Sequence, residues 1–294
     1  PTNLAAEIVS STSVKLTWDA PVLIYEDSFE NYEDFSIDFA PWVQYDGDGG
    51  STYGIDGVEF NNSGYTGSYI IFNPTATNPS LGENWTAHTG DKYAACFAAT
   101  TASAPNDDWL ITPLVKIKTG YSFNFWAKSI TDQYGLERFK VGISDGGTNP
   151  ADFTIITEGD YVEAPITWTE YNYDLASYED QWVRLALNCV SYDAFVLFID
   201  DILIANAAGR SVLSQSFETT PSTNISKKVI VENGFTQPKT KSSKDLLEIA
   251  GYKVYRDGSS IGEIDDPDVL EYTDSELEPG VYSYQVSSIF SSPE

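Results

Sequence analysis

The chain has 294 residues, long for one domain and short for three, so two compact units are expected. Its 41% apolar content can fill a sizeable core, which excludes disorder throughout. Forty-four Asp and Glu against 16 Lys and Arg give a formal charge of −28, which repels phosphate backbones and anionic lipid heads and argues against nucleic acid as a partner. No run approaches the roughly 20 apolar residues that a membrane helix needs, and no charged-then-apolar leader precedes Pro1. A soluble chain without membrane insertion, its signal peptide removed, is therefore expected. His88 is the single histidine: a His-based hydrolase would need it as base, and a zinc centre with two or three His ligands is excluded. Carboxylate chemistry stays open.

In chain order, period-two alternation dominates and predicts an all-β protein. The opening segment holds a strand ending in Leu16, Thr17 and Trp18, with a stop at Pro21. The block that follows is rich in Gly, Asn, Asp and aromatics. Asp46 and Asp48, spaced by Gly47 and followed by Gly49, offer hard oxygens on a backbone able to turn sharply, which suits a calcium loop or a solvated turn. The glycine-rich stretch from Tyr53 to Asn73 carries Tyr53, Asn61, Asn62, Tyr65, Tyr69 and Asn73, aromatics beside amides that can form a sugar platform or simply pack on one another. Trp85 and His88 belong to a similar loop. Cys96 and Cys189 each sit inside a predicted strand, where a free thiol behaves as a small apolar residue; a disulfide between them is the less favoured alternative. Asn106, Asp107 and Asp108, before the strand LITPL, read as a turn bonded to its own backbone in preference to direct ion binding.

Tyr121 to Ala127 and Phe139 to Ile143 alternate as half-buried strands, as do Val183 to Cys189, whereas Phe195 to Ile199 is apolar on both sides and reads as a central strand. That strand runs into Asp200 and Asp201, and since strand neighbours point to opposite faces, one of the two faces inward or lies at the sheet's end, where it needs a cation or donors. From 207 to 245 comes a stretch with six of the sixteen basic residues amid Ser, Thr and Pro, which reads as a linker. Asp245 to Ala250 is the best short helix candidate. Gln215 to Glu218 repeats the Ser-Phe-Glu of Ser28 to Glu30, a three-residue echo without weight.

The two ends of the chain resemble complementary halves of a fibronectin type III domain. Trp18 matches the buried tryptophan of its second strand, Tyr252, Val254 and Tyr255 open the third, and Leu277, Pro279 and Tyr282 resemble its tyrosine corner. The spacing from Pro279 to Tyr282 is one residue shorter than usual and no seventh strand follows, so an open edge is expected. The middle block, in the order SFEN, Trp42, DGDG, DWLITP, FW, a VxxS strand and IDD, resembles the cleaved-adhesin (choice-of-anchor J) domain of gingipain-type adhesins, a relative of MAM-like jelly rolls. The expected fold is thus a jelly-roll β-sandwich at 25–206 inserted into a fibronectin type III-like β-sandwich formed by 1–24 and 246–294, with a linker at 207–245.

That resemblance implies a bacterial, secreted or cell-surface protein without catalytic residues, serving in adhesion or ligand binding, its partner a glycan or a host or surface protein, and monomeric in isolation. Asp27 and Glu30 flank the module's first strand, which in the resembled family sits beside its last, so a structural calcium held by some of Asp27, Glu30, Asp46, Asp48, Asp200 and Asp201 is expected. The alternatives are a carboxylate-pair glycosidase on a jelly roll, or an accessory or spacer region of a larger secreted protease.

Overall fold

The computed structural model describes residues 1–19, 25–100, 105–206, 230–231 and 248–291. By contacts the chain forms two compact units, Pro1–Leu23 with Leu213–Glu294, and Ile24–Val212.

The first strands are β1 (Thr2–Ser10), β2 (Ser13–Asp19), β3 (Tyr25–Asp27), β4 (Val43–Asp46), β5 (Ile70–Phe72), β6 (Tyr93–Phe97) and β7 (Asp108–Ile111). Next come β8 (Val115–Lys116), β9 (Ser122–Ser129), β10 (Arg138–Ser144), β11 (Thr154–Ile155), β12 (Val162–Glu163), β13 (Thr169–Asp174), β14 (Trp182–Cys189) and β15 (Val196–Ala205). The remainder are β16 (Ile230–Val231), β17 (Glu248–Arg256), β18 (Ser259–Ile264), β19 (Glu271–Asp274) and β20 (Ser283–Ser291).

In the larger unit two antiparallel sheets face each other. One runs β11-β10-β14-β7-β4, with β12 beside β10 and β8 beside β14; the other runs β13-β9-β15-β6-β5, with β3 beside β15. The alternation of β9 and β10 explains the seam between them. Phe125 and Phe139 turn inward and meet edge to face at 5.5 Å, and Tyr171 of β13 closes on Phe139 at 5.0 Å. Such contacts add about 0.5–1.5 kcal/mol each beyond the area they bury. β15, apolar on both faces, lies in the middle of its sheet as its composition demands. Its second face, with Phe72, Tyr93, Phe97 and Phe198, is covered by Phe35, Tyr65, Phe60 and Trp85 from the long connections. Cys96 and Cys189 are buried free thiols. Tyr25 pairs with Ile204, so the two ends of this unit lie side by side.

The smaller unit also has two sheets, β1-β2-β19 and β16-β20-β17-β18. Both ends of the chain enter one core: Val14, Leu16 and Trp18 of β2 pack with Tyr252 and Val254 of β17, Tyr284 of β20 and Leu277. Trp18 is 3% exposed and meets Tyr252 edge to face at 5.4 Å. Leu16 and Tyr272 are register partners, which ties the opening strand to the closing segment by backbone as well as by packing. Tyr282 donates its phenol to the Glu278 carbonyl at 2.7 Å.

Two expectations are corrected here. Residues 248–250 open strand β17 instead of ending a helix, because Ile249 packs on this core and the backbone pairs with β20; 245–247 lie outside the described residues. Within the expected linker, Ile230–Val231 pair in parallel with Ser283 and Tyr284 of β20, so the edge expected to be open is partly occupied. The rest of 207–245 and the Gln215–Glu218 echo lie outside the described residues.

Candidate functional site

Among the described residues, Asp46, Asp48 and Asp108 form one group whose carboxylate oxygens lie within 4.8 Å of one another. Asp46 ends β4 and is the register partner of Asp108, the first residue of β7. The turn between Asp46 and Gly50 is held by its own acids: Gly49 N–H donates to Asp46 Oδ1 at 2.6 Å and Gly50 N–H to Asp48 Oδ1 at 2.7 Å. Asp107 N–H reaches Asp48 Oδ2 at 3.2 Å, and Gly47 N–H donates to the Asp107 carbonyl at 2.8 Å. Glycine is required at 47, because a Cβ there would stand 2.8 Å from that carbonyl oxygen and 2.3 Å from Asp107 Oδ2.

Asp108 is 2% exposed. Its Oδ2 accepts from Asn106 Nδ2 at 2.8 Å and from the Cys96 thiol at 3.5 Å, while Oδ1 is enclosed with no hydrogen-bond partner. Burial, followed by the charges of Asp48 and Asp46, pushes its carboxyl up to about 8. Facing carboxylates repel, and a buried carboxylate oxygen without a donor, as at Asp108 Oδ1, is costly, so the ionised group favours a cation. Three hard oxygen donors on two strand ends and a tight turn fit Ca²⁺. The ion would neutralise the three acids.

In sequence, 106–108 read as a turn bonded to its own backbone, with direct ion binding the less favoured alternative. Asn106 and Asp108 are instead buried, because Asp108 already belongs to β7 and shares the inward side of Leu110. Extending the alternation back by one pair from Leu110 would have found it.

The other four predicted acids do not join this group. Asp27 accepts from Phe29 N–H at 2.8 Å, Tyr32 Oη at 2.5 Å and Trp42 Nε1 at 2.8 Å. Glu30 accepts from the backbone of Asp91 and Lys92 at 2.9 and 2.8 Å. Asp200, fully buried, takes the N–H groups of His88 at 2.9 Å, Thr89 at 3.2 Å and Asp201 at 2.8 Å. Burial, then the charge of Asp201, raises its carboxyl to about 8 despite these bonds. Asp201 holds His88 Nδ1 at 2.5 Å and Thr89 Oγ1 at 2.6 Å.

Glu30, just after β3, and Asp200 and Asp201 of β15 thus converge on segment 88–92, which meets them with its own donors. The expected opposition of Asp200 and Asp201 fails at a bulge: the register with β9 shifts between Asp200 and Leu203, and Asp201 has φ of +47°. Both carboxylates therefore reach the same loop. His88 in turn stacks on Trp126 at 3.8 Å and 15°. His88→Ala should remove this stack and the partner of Asp201, costing about 1–3 kcal/mol of stability; an unchanged urea midpoint would show that the loop is held without them.

The predicted sugar platform is corrected. Tyr69 is fully buried, and Tyr65 is 8% exposed with its phenol donating to the Ser68 carbonyl at 2.9 Å. Asn73 caps a single 3-10 turn at Pro74–Ala76 and donates to Asp34, and Asn62 Nδ2 donates to the Phe35 carbonyl at 2.8 Å. Tyr53 is half-buried and Asn61 exposed. The stretch is a loop packed by its own aromatics that roofs the β15 sheet, so its rings are spent on the core.

The family model described as Cleaved Adhesin Domain matches residues 74–204. The chain carries a cleaved adhesin domain. Hemagglutinin A of Porphyromonas gingivalis (strain ATCC BAA-308 / W83) is 25% identical over 219 residues, which cover 67% of this chain and 9% of that protein. The chain thus spans about a tenth of the length of this relative. Among solved structures, the K1 cleaved adhesin domain of Lys-gingipain from Porphyromonas gingivalis W83 aligns with a TM-score of 0.43 at 20% identity, covering 63% of this chain and 98% of that domain. The CBM22-1 xylan-binding domain of Xyn10C from Paenibacillus barcinonensis aligns with a TM-score of 0.35 at 12% identity, covering 64% and 99%. No helix among the described residues is long and apolar enough to cross a membrane.

Proposed function

We propose that the chain is a calcium-stabilised, non-catalytic adhesion module, secreted or displayed on a bacterial surface, that recognises a glycan or a surface protein and acts as one segment of a longer protein. The observation that carries this reading is the family match, which spans the strands from β6 to within β15. The outer sandwich is read as fibronectin type III-like, supported by Trp18 in its core and by the Tyr282 phenol bonded back to the Glu278 carbonyl.

The glycosidase alternative needs two carboxyls of unlike environment across an open cleft. Of the four acids pushed up by burial, Asp108, Glu137 and Asp200 are at most 2% exposed and Glu26 on β3 is exposed. A general acid must touch the glycosidic oxygen, which leaves Glu26 alone of the four and no exposed pair among them. A panel of chromogenic glycosides should show no turnover, while a glycan array and a surface-protein binding screen should yield a ligand; turnover of any glycoside, or neither kind of ligand, would refute the reading.

A further inference from the structure

We propose that the outer face of the β10–β14 sheet holds a binding cleft for a short neutral oligosaccharide, with Tyr161 and Tyr192 as its walls and Lys140 and Asn188 on its floor. This inference rests on the adhesion reading above and assigns it a place and a ligand class.

The alternation that sends Phe139 and Val141 into the core sends Arg138 and Lys140 outward on β10, and Lys140 is the register partner of Asn188 on β14. With Asp107 these side chains floor a cleft of about 570 Å³, walled by Tyr161 and Tyr192. That is within the roughly 300–1,000 Å³ of small-ligand sites. Tyr161 and Tyr192 are 40% and 50% exposed, whereas the tyrosines of the predicted platform are buried.

Polar groups on the floor are fixed but not saturated. Asn188 is 4% exposed; its Nδ2 donates to Asp107 Oδ1 at 3.1 Å, and its Oδ1 is enclosed without a partner. Asp107 Oδ1 also accepts from Trp109 Nε1 at 2.7 Å, which holds the amide in place. Arg138 is committed: it donates to Glu163 Oε1 through Nε and Nη2 at 3.2 and 3.1 Å, and its guanidinium lies 4.4 Å from the Tyr161 ring centre. That stack holds the tyrosine wall upright. Lys140 has no ion pair or hydrogen bond among the described residues. The floor thus lacks one acceptor for Lys140, while Asn188 Oδ1 is enclosed beyond a ligand's reach.

A pyranose hydroxyl supplies that acceptor, while the sugar's apolar face covers a tyrosine ring. The overall charge of −28, with Asp107 and Asp160 also lining the cleft, disfavours a polyanion.

The test uses the full chain on an array of neutral and carboxylated glycans, followed by titration with cellotriose, xylotriose, β-1,4-galactotriose and trigalacturonate. Binding to neutral saccharides should fall at least about tenfold in Tyr161→Ala and in Lys140→Gln, with Tm unchanged, and should stay as in wild type in Tyr134→Ala, which removes a 61% exposed ring outside the cleft. Glycan binding that both cleft variants retain would overturn the cleft assignment while leaving the adhesion reading intact. Binding of trigalacturonate alone would overturn the neutral class. A wild-type chain that binds no saccharide but captures a surface protein would overturn this inference only.

Discussion

Calcium should stabilise the wild-type chain by about 3 kcal/mol at pH 8 and hardly at all at pH 4, and the difference should vanish in Asp108→Asn. The Asp108 carboxyl is pushed up to about 8 in the folded chain by burial and then by Asp48 and Asp46, against about 3.9 when unfolded. Between these values the folded chain holds a proton that the unfolded chain has released. Its contribution to stability is therefore intact below about pH 4, is lost as pH rises, and is gone above about pH 8, with a slope near 1.4 kcal/mol per pH unit.

Asp200 shifts in the same sense, also to about 8, and Glu137 to about 7, so the metal-free protein weakens steadily from mild acid to mild base. Calcium on Asp46, Asp48 and Asp108 would replace the missing proton at one of these three places only. The chelated chain should therefore show a steeper fall of Tm with pH than the calcium-loaded one, and both should fall. Asn at 108 removes the charge that needs compensation, so with EDTA at pH 8 this variant should be more stable than wild type. Equal melts with EDTA and calcium at pH 8, or a wild type that outlasts Asp108→Asn in EDTA, would show that no ion sits there.

Trp18→Ala should unfold the smaller unit or cost it about 3–5 kcal/mol while the cleaved adhesin domain melts unchanged. Trp18 is 3% exposed against Tyr252, Val254 and Tyr284, which lie more than two hundred positions along the chain, and truncation leaves a cavity that paired strands cannot close. The larger unit has its own two sheets and inter-sheet core, and its ends meet at the Tyr25–Ile204 pair. A fragment of 25–206 should accordingly fold alone and keep the calcium response. Two melting transitions, of which Trp18→Ala lowers one, are the expected calorimetric signature. A single transition that moves as a whole, or a fragment that fails to fold, would mean that the two units depend on each other.

Strand alternation was enough to read the β class, the central position of β15 and the inward faces of β9, β10 and β14, because period-two burial is written locally in residue order. The resemblance of the two chain ends to halves of one sandwich was legible for the same reason: Trp18 and Tyr252 each sit on a locally readable strand. Which acids meet was not local. Asp108 joins Asp46 through the register of β7 on β4, and Asp200 and Asp201 reach one loop only because a bulge breaks the alternation that sequence reasoning must assume.

The aromatic stretch from Tyr53 to Asn73 looked like a surface because composition cannot tell a ring that covers a sheet from a ring that faces water. The cleft beside Tyr161 and Tyr192 was invisible for the converse reason: its floor is assembled from β10 and β14, nearly fifty residues apart, and each strand alone shows only ordinary outward polar residues. By itself the sequence determined which side of each strand avoids water. Only the tertiary structure decided which strands stand side by side, and therefore which carboxylates share a charge and which polar groups share a cleft, since pairing energy depends on contacts between segments that no single segment encodes.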